Sequence, residues 1–427
     1  MNTGEKHFEK KDIQTILKHI LLKDYMNRWA TVFMKAAISK QIKKCHFVDC
    51  FAGEGSFKDG QDGSPLIAIK NLFNLQRAFH EKYDNKCRFF IHTVELNDDY
   101  HQKLVQMGKN SSFPTQINNY CGEFKNHVQK LVKSTFGSPA LYFIDPFGYK
   151  GVHLQDIQKI LAVKSHEVLI NVMSYSLVRN YRIQNNHSEL CKFFGVHEIP
   201  ENIKEYIKLA SNDKVLDTSN SRSLFKKLEN DIIELYSQKL RQSFDHPVYI
   251  LSKRIYSPIN PNVYFHLVFT TKNRAGLIEM KNTMVTFESL RIKAEEDYIR
   301  TNSIQKNLPV DDLFSEAYSI ATYDYIDFVR EFMKIFNNEK CTYGQVIDHF
   351  LQYTPLPFSD NENQKSIADF CARLFEKNKY IERSSRAFKN YKVADDFEIY
   401  SRLPDNYLKS ISIVQPESEQ LSIFNFM

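Results

Sequence analysis

Ile13, Ile16, Leu17, Ile20 and Leu21 recur at three- and four-residue intervals with charged positions between them, which predicts an amphipathic helix over residues 10–40. The period then changes. Short apolar runs at 46–50, 89–96, 115–120, 141–145 and 167–173 alternate with helical stretches such as 65–80 and 124–133. Repeated strand–helix alternation of this kind predicts a parallel sheet packed between helices. Two further strands, 248–255 and 263–271, flank Ser257-Pro-Ile-Asn-Pro-Asn262, a turn that pairs them as an antiparallel hairpin. Five parallel strands and a terminal hairpin make a seven-stranded α/β sheet.

Between the fifth and sixth strands, residues 178–245 are long for a crossover and helical in pattern, including 223–242. They read as an insertion at the carboxyl edge of the sheet, where a substrate lid would hang. A long helix is predicted over 274–300, closing a first domain of residues 1–300, followed by a helical linker over 301–335. Beyond it, helices at 342–352 and 365–377 and strands at 380–383 and 391–393 follow the order of a winged helix, placed at 336–405. Residues 406–427 read as a tail. There is no internal repeat and no low-complexity segment.

Composition narrows the class of protein. At 427 residues, 42% hydrophobic and 25% charged, the chain has material for two or three packed domains. No apolar stretch approaches the roughly 20 residues that span a bilayer, and the amino terminus lacks an apolar signal core. A cytoplasmic protein is expected. Its seven cysteines are scattered without CxxC spacing, which argues against a zinc knuckle or a disulfide framework. The net charge of +6 is unevenly spread: residues 1–45 hold ten Lys or Arg against four acids. A second basic zone contains Lys377, Lys379, Arg383, Arg386 and Lys389, interleaved with Tyr380, Phe388 and Tyr391. Basic zones with aromatics suit nucleic acid, and solvated helix faces have the same composition.

The candidate chemistry begins in Phe47-Val-Asp-Cys-Phe-Ala-Gly-Glu-Gly-Ser56. Gly53 and Gly55 let the backbone turn and approach a ligand directly after a buried strand, with Asp49 and Phe51 beside them. The third glycine of a dinucleotide cradle is missing, which disfavours hydride-transfer enzymes. Glu95 closes the second strand, where a carboxylate can accept both hydroxyls of a ribose or else cap the next helix with Asn97 and Asp98. Glu123, after the third strand, is placed to meet an adenine amine or to serve as an acidic first-turn residue.

Asp145-Pro-Phe-Gly148 leaves the fourth strand. The Asp145 carboxylate and the Pro146 carbonyl can accept both protons of an exocyclic amine, orienting its lone pair for attack, and Phe147 can stack on the base. A strand broken by proline explains Pro146 and Gly148, but gives no reason for the carboxylate. Tyr175 and Arg179 border the same crevice, and Arg179 is placed to meet a phosphate. Lys18 is a candidate for the far end of the cofactor. Trp29, the one tryptophan, reads as packing.

In order, Lys18-His-Ile-Leu21 with Tyr25 and Trp29, the glycine loop with Gly60, Gly63, Ser64 and Pro65, Asp145-Pro-Phe-Gly148 and residues 263–280 resemble the three-Cys-motif partner (TcmP) proteins. These are relatives of S-adenosylmethionine (SAM) methyltransferases. The resemblance covers about residues 12–285 and implies a Rossmann-like class I methyltransferase fold, SAM as cofactor, and a separate partner bearing a three-cysteine motif. Asp145-Pro-Phe-Gly148 also resembles the DPPY and NPPY motifs of amino-methyltransferases. The chain departs from the family at Cys50, where glycine is usual, and at Glu123, where aspartate is commoner. Two functions follow as expectations: a SAM-dependent methyltransferase acting on a base amine in DNA or RNA, or a non-catalytic nucleic-acid-binding partner subunit of the same fold.

Overall fold

The computed structural model describes residues 12–39, 42–84, 86–173, 177, 187–210, 219–256 and 264–301, with 340–342, 345, 348, 351–352, 381–383 and 398–401 beyond them. The chain divides into two compact units, Met1–Met280 with Leu290–Ile304, and Lys281–Ser289 with Gln305–Met427.

In the first unit, α1 (Ile13–Ser39) precedes β1 (Lys44–Asp49), α2 (Ser64–Tyr83), β2 (Arg88–Glu95), α3 (Asp98–Lys109), β3 (Ile117–Cys121), α4 (Phe124–Thr135), β4 (Ala140–Ile144), α5 (Leu154–Ala162) and β5 (His166–Val172). Three helices follow, α6 (His187–Phe194), α7 (Glu201–Ala210) and α8 (Ser219–Arg241), then β6 (Tyr249–Tyr256), β7 (Tyr264–Thr271) and α9 (Arg274–Thr301). The sheet runs β3-β2-β1-β4-β5-β7-β6. The first five strands pair in parallel, and β7 joins β5 and β6 antiparallel. This is the Rossmann-like class I methyltransferase order, and the predicted strands lie within one or two residues of the observed ones.

Parallel strands covered on both faces read as near-continuous apolar runs, and β4 and β5 are buried at every position. One face carries α1, anchored by Tyr25, whose hydroxyl donates to Glu167 Oε2 at 2.7 Å on β5, and by the 4.8 Å edge contact of Tyr25 with Phe269 on β7. Trp29 packs there against Phe33 and Phe89, as its composition predicted.

The opposite face corrects the expected lid. Leu190, Phe193, Phe194, Leu228, Ile232, Tyr236 and Leu240 share one core with Val168, Ile170 and Val268 of the sheet. Arg254 of β6 donates to Glu229 of α8 at 2.7 Å, with His266 of β7 at 3.3 Å from the same oxygen. The helices α6 and α8 therefore belong to the layer that buries the sheet. Residues 178–186 and 211–218 lie outside the described residues.

In the second unit β8 (Lys340–Thr342), β9 (Ile381–Arg383) and β10 (Glu398–Ser401) form an antiparallel sheet in the order β8-β10-β9. The predicted strand at 380–383 is present, and its partner is 398–401. Residues 391–393, most of the predicted helices at 342–352 and 365–377, and the tail lie outside the described residues. Among the described residues, no helix is long and apolar enough to cross a membrane.

Candidate functional site

The loop after β1 is fixed at both ends by backbone hydrogen bonds. Cys50 donates to the Phe143 carbonyl at 2.9 Å and Ala52 to that of Val94 at 3.0 Å, so the chain leaves the sheet between β4 and β2. Gly53 and Gly55 adopt φ of 62° and 84°, the left-handed region that glycine enters without penalty. Gly63 donates to the Gly55 carbonyl at 2.9 Å, closing the loop just before α2 begins at Ser64–Pro65. A Cβ on Gly55 would run into Met107 of α3, and Glu54 is buried in an ion pair with Lys103 of the same helix.

Three acids gather at the carboxyl ends of the strands. Glu95 accepts the Gly53 amide at 2.8 Å and the Asn97 amide at 2.8 Å, tying β2 to the glycine loop. The side-chain cap of α3 is Asn97, which accepts from the Tyr100 amide at 3.0 Å. Asp49 is buried, and its Oδ2 has no hydrogen-bond partner. Burial pushes its carboxyl up to about 7, opposed by the Ser64 hydroxyl and reinforced by the nearby Asp145 and Glu95 carboxylates. The glycine loop, Glu95, Asp49 and Asp145 thus gather at the carboxyl ends of the adjacent strands β2, β1 and β4.

Asp145 accepts from Asn171 Nδ2 at 2.7 Å and pairs with Lys18 Nζ at 2.5 Å. Lys18, expected from sequence at the far end of a cofactor, pairs here with Asp145, and its ammonium lies 5.5 Å from the Phe265 ring centroid. The alternation of α1 buries Lys18 alongside Leu17 and Leu21, so its charge must find a partner inside. Pro146 is buried and Phe147 is 68% exposed. Asn171 was missed by the sequence reading, although a carboxamide within the buried run Val168–Val172 signals a polar partner nearby.

Glu123 stands at the start of α4, as the acidic helix-start reading expects. It occupies the cap position of α4 without a side-chain cap bond, and its half-exposed carboxylate pairs with Lys125 at 2.6 Å. Phe51 leans on Phe124 with ring centroids 5.6 Å apart, covering the start of the same helix. Tyr175, Arg179, Lys377, Lys379, Arg386 and Lys389 lie outside the described residues, and Arg383 is described only as backbone in β9.

No family model matches the sequence, and no curated protein matches it. Several solved structures are similar. A DUF519 protein from Legionella pneumophila str. Philadelphia 1 is 12% identical, covering 61% of this chain and 85% of its own, with a TM-score of 0.34. A putative caffeoyl-CoA O-methyltransferase from Staphylococcus aureus is 13% identical, covering 57% and 82%, with a TM-score of 0.25. The plantazolicin methyltransferase BpumL, solved in complex with SAH, is 9% identical, covering 61% and 89%, with a TM-score of 0.27. Likenesses this loose leave the reading of the site to its own residues.

Proposed function

We propose that the protein is a SAM-dependent methyltransferase that modifies an exocyclic base amine in nucleic acid and works with a separate three-cysteine-motif protein. The observation that carries the reading is the position of Asp145, held at the exit of β4 by Asn171 and Lys18, on the strand next to the one that feeds the glycine loop. The residues suit SAM in three respects: Gly53 and Gly55 hold the loop in a tight left-handed turn at the end of β1, Glu95 stands at the end of β2, and Asp49 keeps a buried oxygen without a partner. Phe51, Gly53, Gly55 and Glu95 would hold the nucleoside, with Glu123 at its edge only after leaving Lys125. SAM supplies an already activated sulfonium methyl, so the protein contributes alignment and exclusion of water. Asp145 and the Pro146 carbonyl accept hydrogen bonds from the amine, with the one proton lost on methylation passing to the Asp145 carboxylate or to water, Phe147 stacks on the base, and the basic residues Arg179, Lys377, Lys379, Arg383, Arg386 and Lys389 meet phosphates.

The Lys18 contact favours a second reading. An acceptor already engaged by a cation and an amide serves equally well as a structural tie, and the protein would then be a nucleic-acid-binding subunit without turnover. Calorimetry with SAM, followed by labelled methyl transfer to DNA and RNA with and without the partner, separates the two. Binding with transfer that disappears in Asp145→Ala supports the enzyme; binding without transfer supports the subunit. Absence of SAM binding, or full transfer by Asp145→Ala, overturns the proposed mechanism.

A further inference from the structure

At the carboxyl ends of β2 and β3 lies a group of side chains that the proposed function leaves unused. Asp98 and His101 stand three residues apart in the first turn of α3 and share a helix face. Cys121 ends β3 in register with Glu95, and its exposed thiol lies 3.6 Å from Asp98 Oδ1. One ligand atom from each of the three lies within 4.8 Å of the other two.

We propose that Asp98, His101 and Cys121 form a binding site for a divalent transition metal of the zinc class. Carboxylate, imidazole and thiolate are donors that zinc accepts together, and the sulfur discriminates against magnesium and calcium. The spacing agrees. A tetrahedral metal with bonds of about 2.3 Å to sulfur and about 2.0 Å to oxygen sets those atoms roughly 3.5 Å apart, and Cys121 and Asp98 are already at 3.6 Å. The His101 ligand nitrogen lies within 4.8 Å of the other two and closes the same triangle by a small side-chain rotation. Its Nδ1 is shielded from solvent and has no hydrogen-bond partner, so one ring nitrogen is uncommitted.

The surroundings hold the ligands in place. Asn97 caps α3 and fixes the turn that carries Asp98 and His101, and His127 Nε2 bonds the Cys121 carbonyl at 2.9 Å. Outer contacts of this kind orient metal ligands. Three protein ligands leave the fourth position to water. The site does not depend on the methyltransferase reading, although a metal here would clasp β3 to α3 around Glu95, whose carbonyl accepts the Gly122 amide at 2.9 Å.

Titration of the reduced full-length protein with cobalt(II) tests the site directly. The expected result is one equivalent bound with a thiolate-to-cobalt charge-transfer band that zinc displaces. Cys121→Ser should abolish the band, His101→Ala should weaken binding by at least about tenfold, and Asp99→Asn, an exposed acid on the same turn, should change nothing. Zinc should also raise the melting temperature of the native protein, and raise that of His101→Ala by less at the same zinc concentration, a readout that does not need the serine variant to fold. No band at stoichiometric cobalt, the same band in Cys121→Ser, or equal zinc stabilisation of His101→Ala would overturn the site.

Discussion

Lys18 and Asp145 exchange a buried contact of 2.5 Å, with side chains 10% and 17% exposed, so removing either partner strands a charge. Such a loss costs about 3–5 kcal/mol, whereas replacing both by apolar residues is often neutral. Asp145→Ala should therefore unfold at lower urea by that amount, and Lys18→Met combined with Asp145→Leu should recover most of it. Asn171→Leu probes position more gently: its amide aims Asp145 Oδ1, and a shift of about 1 Å in a reacting group costs roughly 10²-fold in rate. Methyl transfer should fall by that factor with KM for nucleic acid little changed; an unchanged rate would leave Asn171 a packing residue. The glycines divide in the same way. Gly55 and Gly60 both have positive φ, 84° and 81°, yet a Cβ meets Met107 and Leu104 at the first and nothing within 4 Å at the second. Gly60→Ala should cost only the left-handed strain of about 1–2 kcal/mol, and Gly55→Ala clearly more, measured by chemical denaturation.

Strand β1 carries both the core and a pH response. Phe47 is fully buried, and Phe47→Ala should destabilise by about 3–5 kcal/mol. On the same strand His46 Nδ1 lies 3.0 Å from His92 Nε2 of β2, and burial lowers the two rings to about 3 and about 4. The folded state keeps them neutral while the unfolded chain takes up protons below about 6.5, so their stability is full above that pH and is lost as pH falls toward 4 and 3. Buried Glu167 of β5 acts in the opposite sense. Burial raises it to about 7, so the folded state retains a proton that the unfolded chain releases above about 4.5, and stability falls as pH rises from there to 7. Melting curves against pH should flatten between 4 and 6.5 in His92→Gln and between 5 and 7 in Glu167→Gln. The strands were legible because each is a short apolar run with a turn signal after it. Helix α3 was legible only at its start, through Asn97 and Asp98, since Leu104 and Gly108 are its only buried residues and its sequence is otherwise polar. The burial of Leu228, Ile232 and Tyr236 was equally hidden: their spacing announces an apolar face but not the sheet that covers it. The Lys18–Asp145 pair joins elements far apart in the chain, and only the β1-β4-β5 adjacency under α1 brings them together.

Charge is unevenly distributed along the chain, and the proposed function assigns its two basic stretches to nucleic acid. The first 45 residues carry ten Lys or Arg against four acids, an excess equal to the net charge of +6, and Lys377, Lys379, Arg386 and Lys389 concentrate a second excess in the second unit. The strand ends of the first unit gather Asp49, Glu95 and Asp145 instead. On the proposed function the phosphates of a nucleic acid are held by the basic stretches, and phosphate contacts carry a measurable signature. Each one releases counterions and adds about 0.9 to the slope of log affinity against log salt on duplex DNA, or about 0.7 on single strands. Replacing Lys377, Lys379 and Lys389 together by alanine should weaken binding uniformly across sequences and reduce that slope by about 2–3. SAM affinity should stay at its native value, because none of the three belongs to the glycine loop or its acids. A slope unchanged in the triple variant would move the phosphate contacts to the basic amino-terminal 45 residues, where Lys23→Ala with Lys35→Ala and Lys43→Ala should then show the reduction.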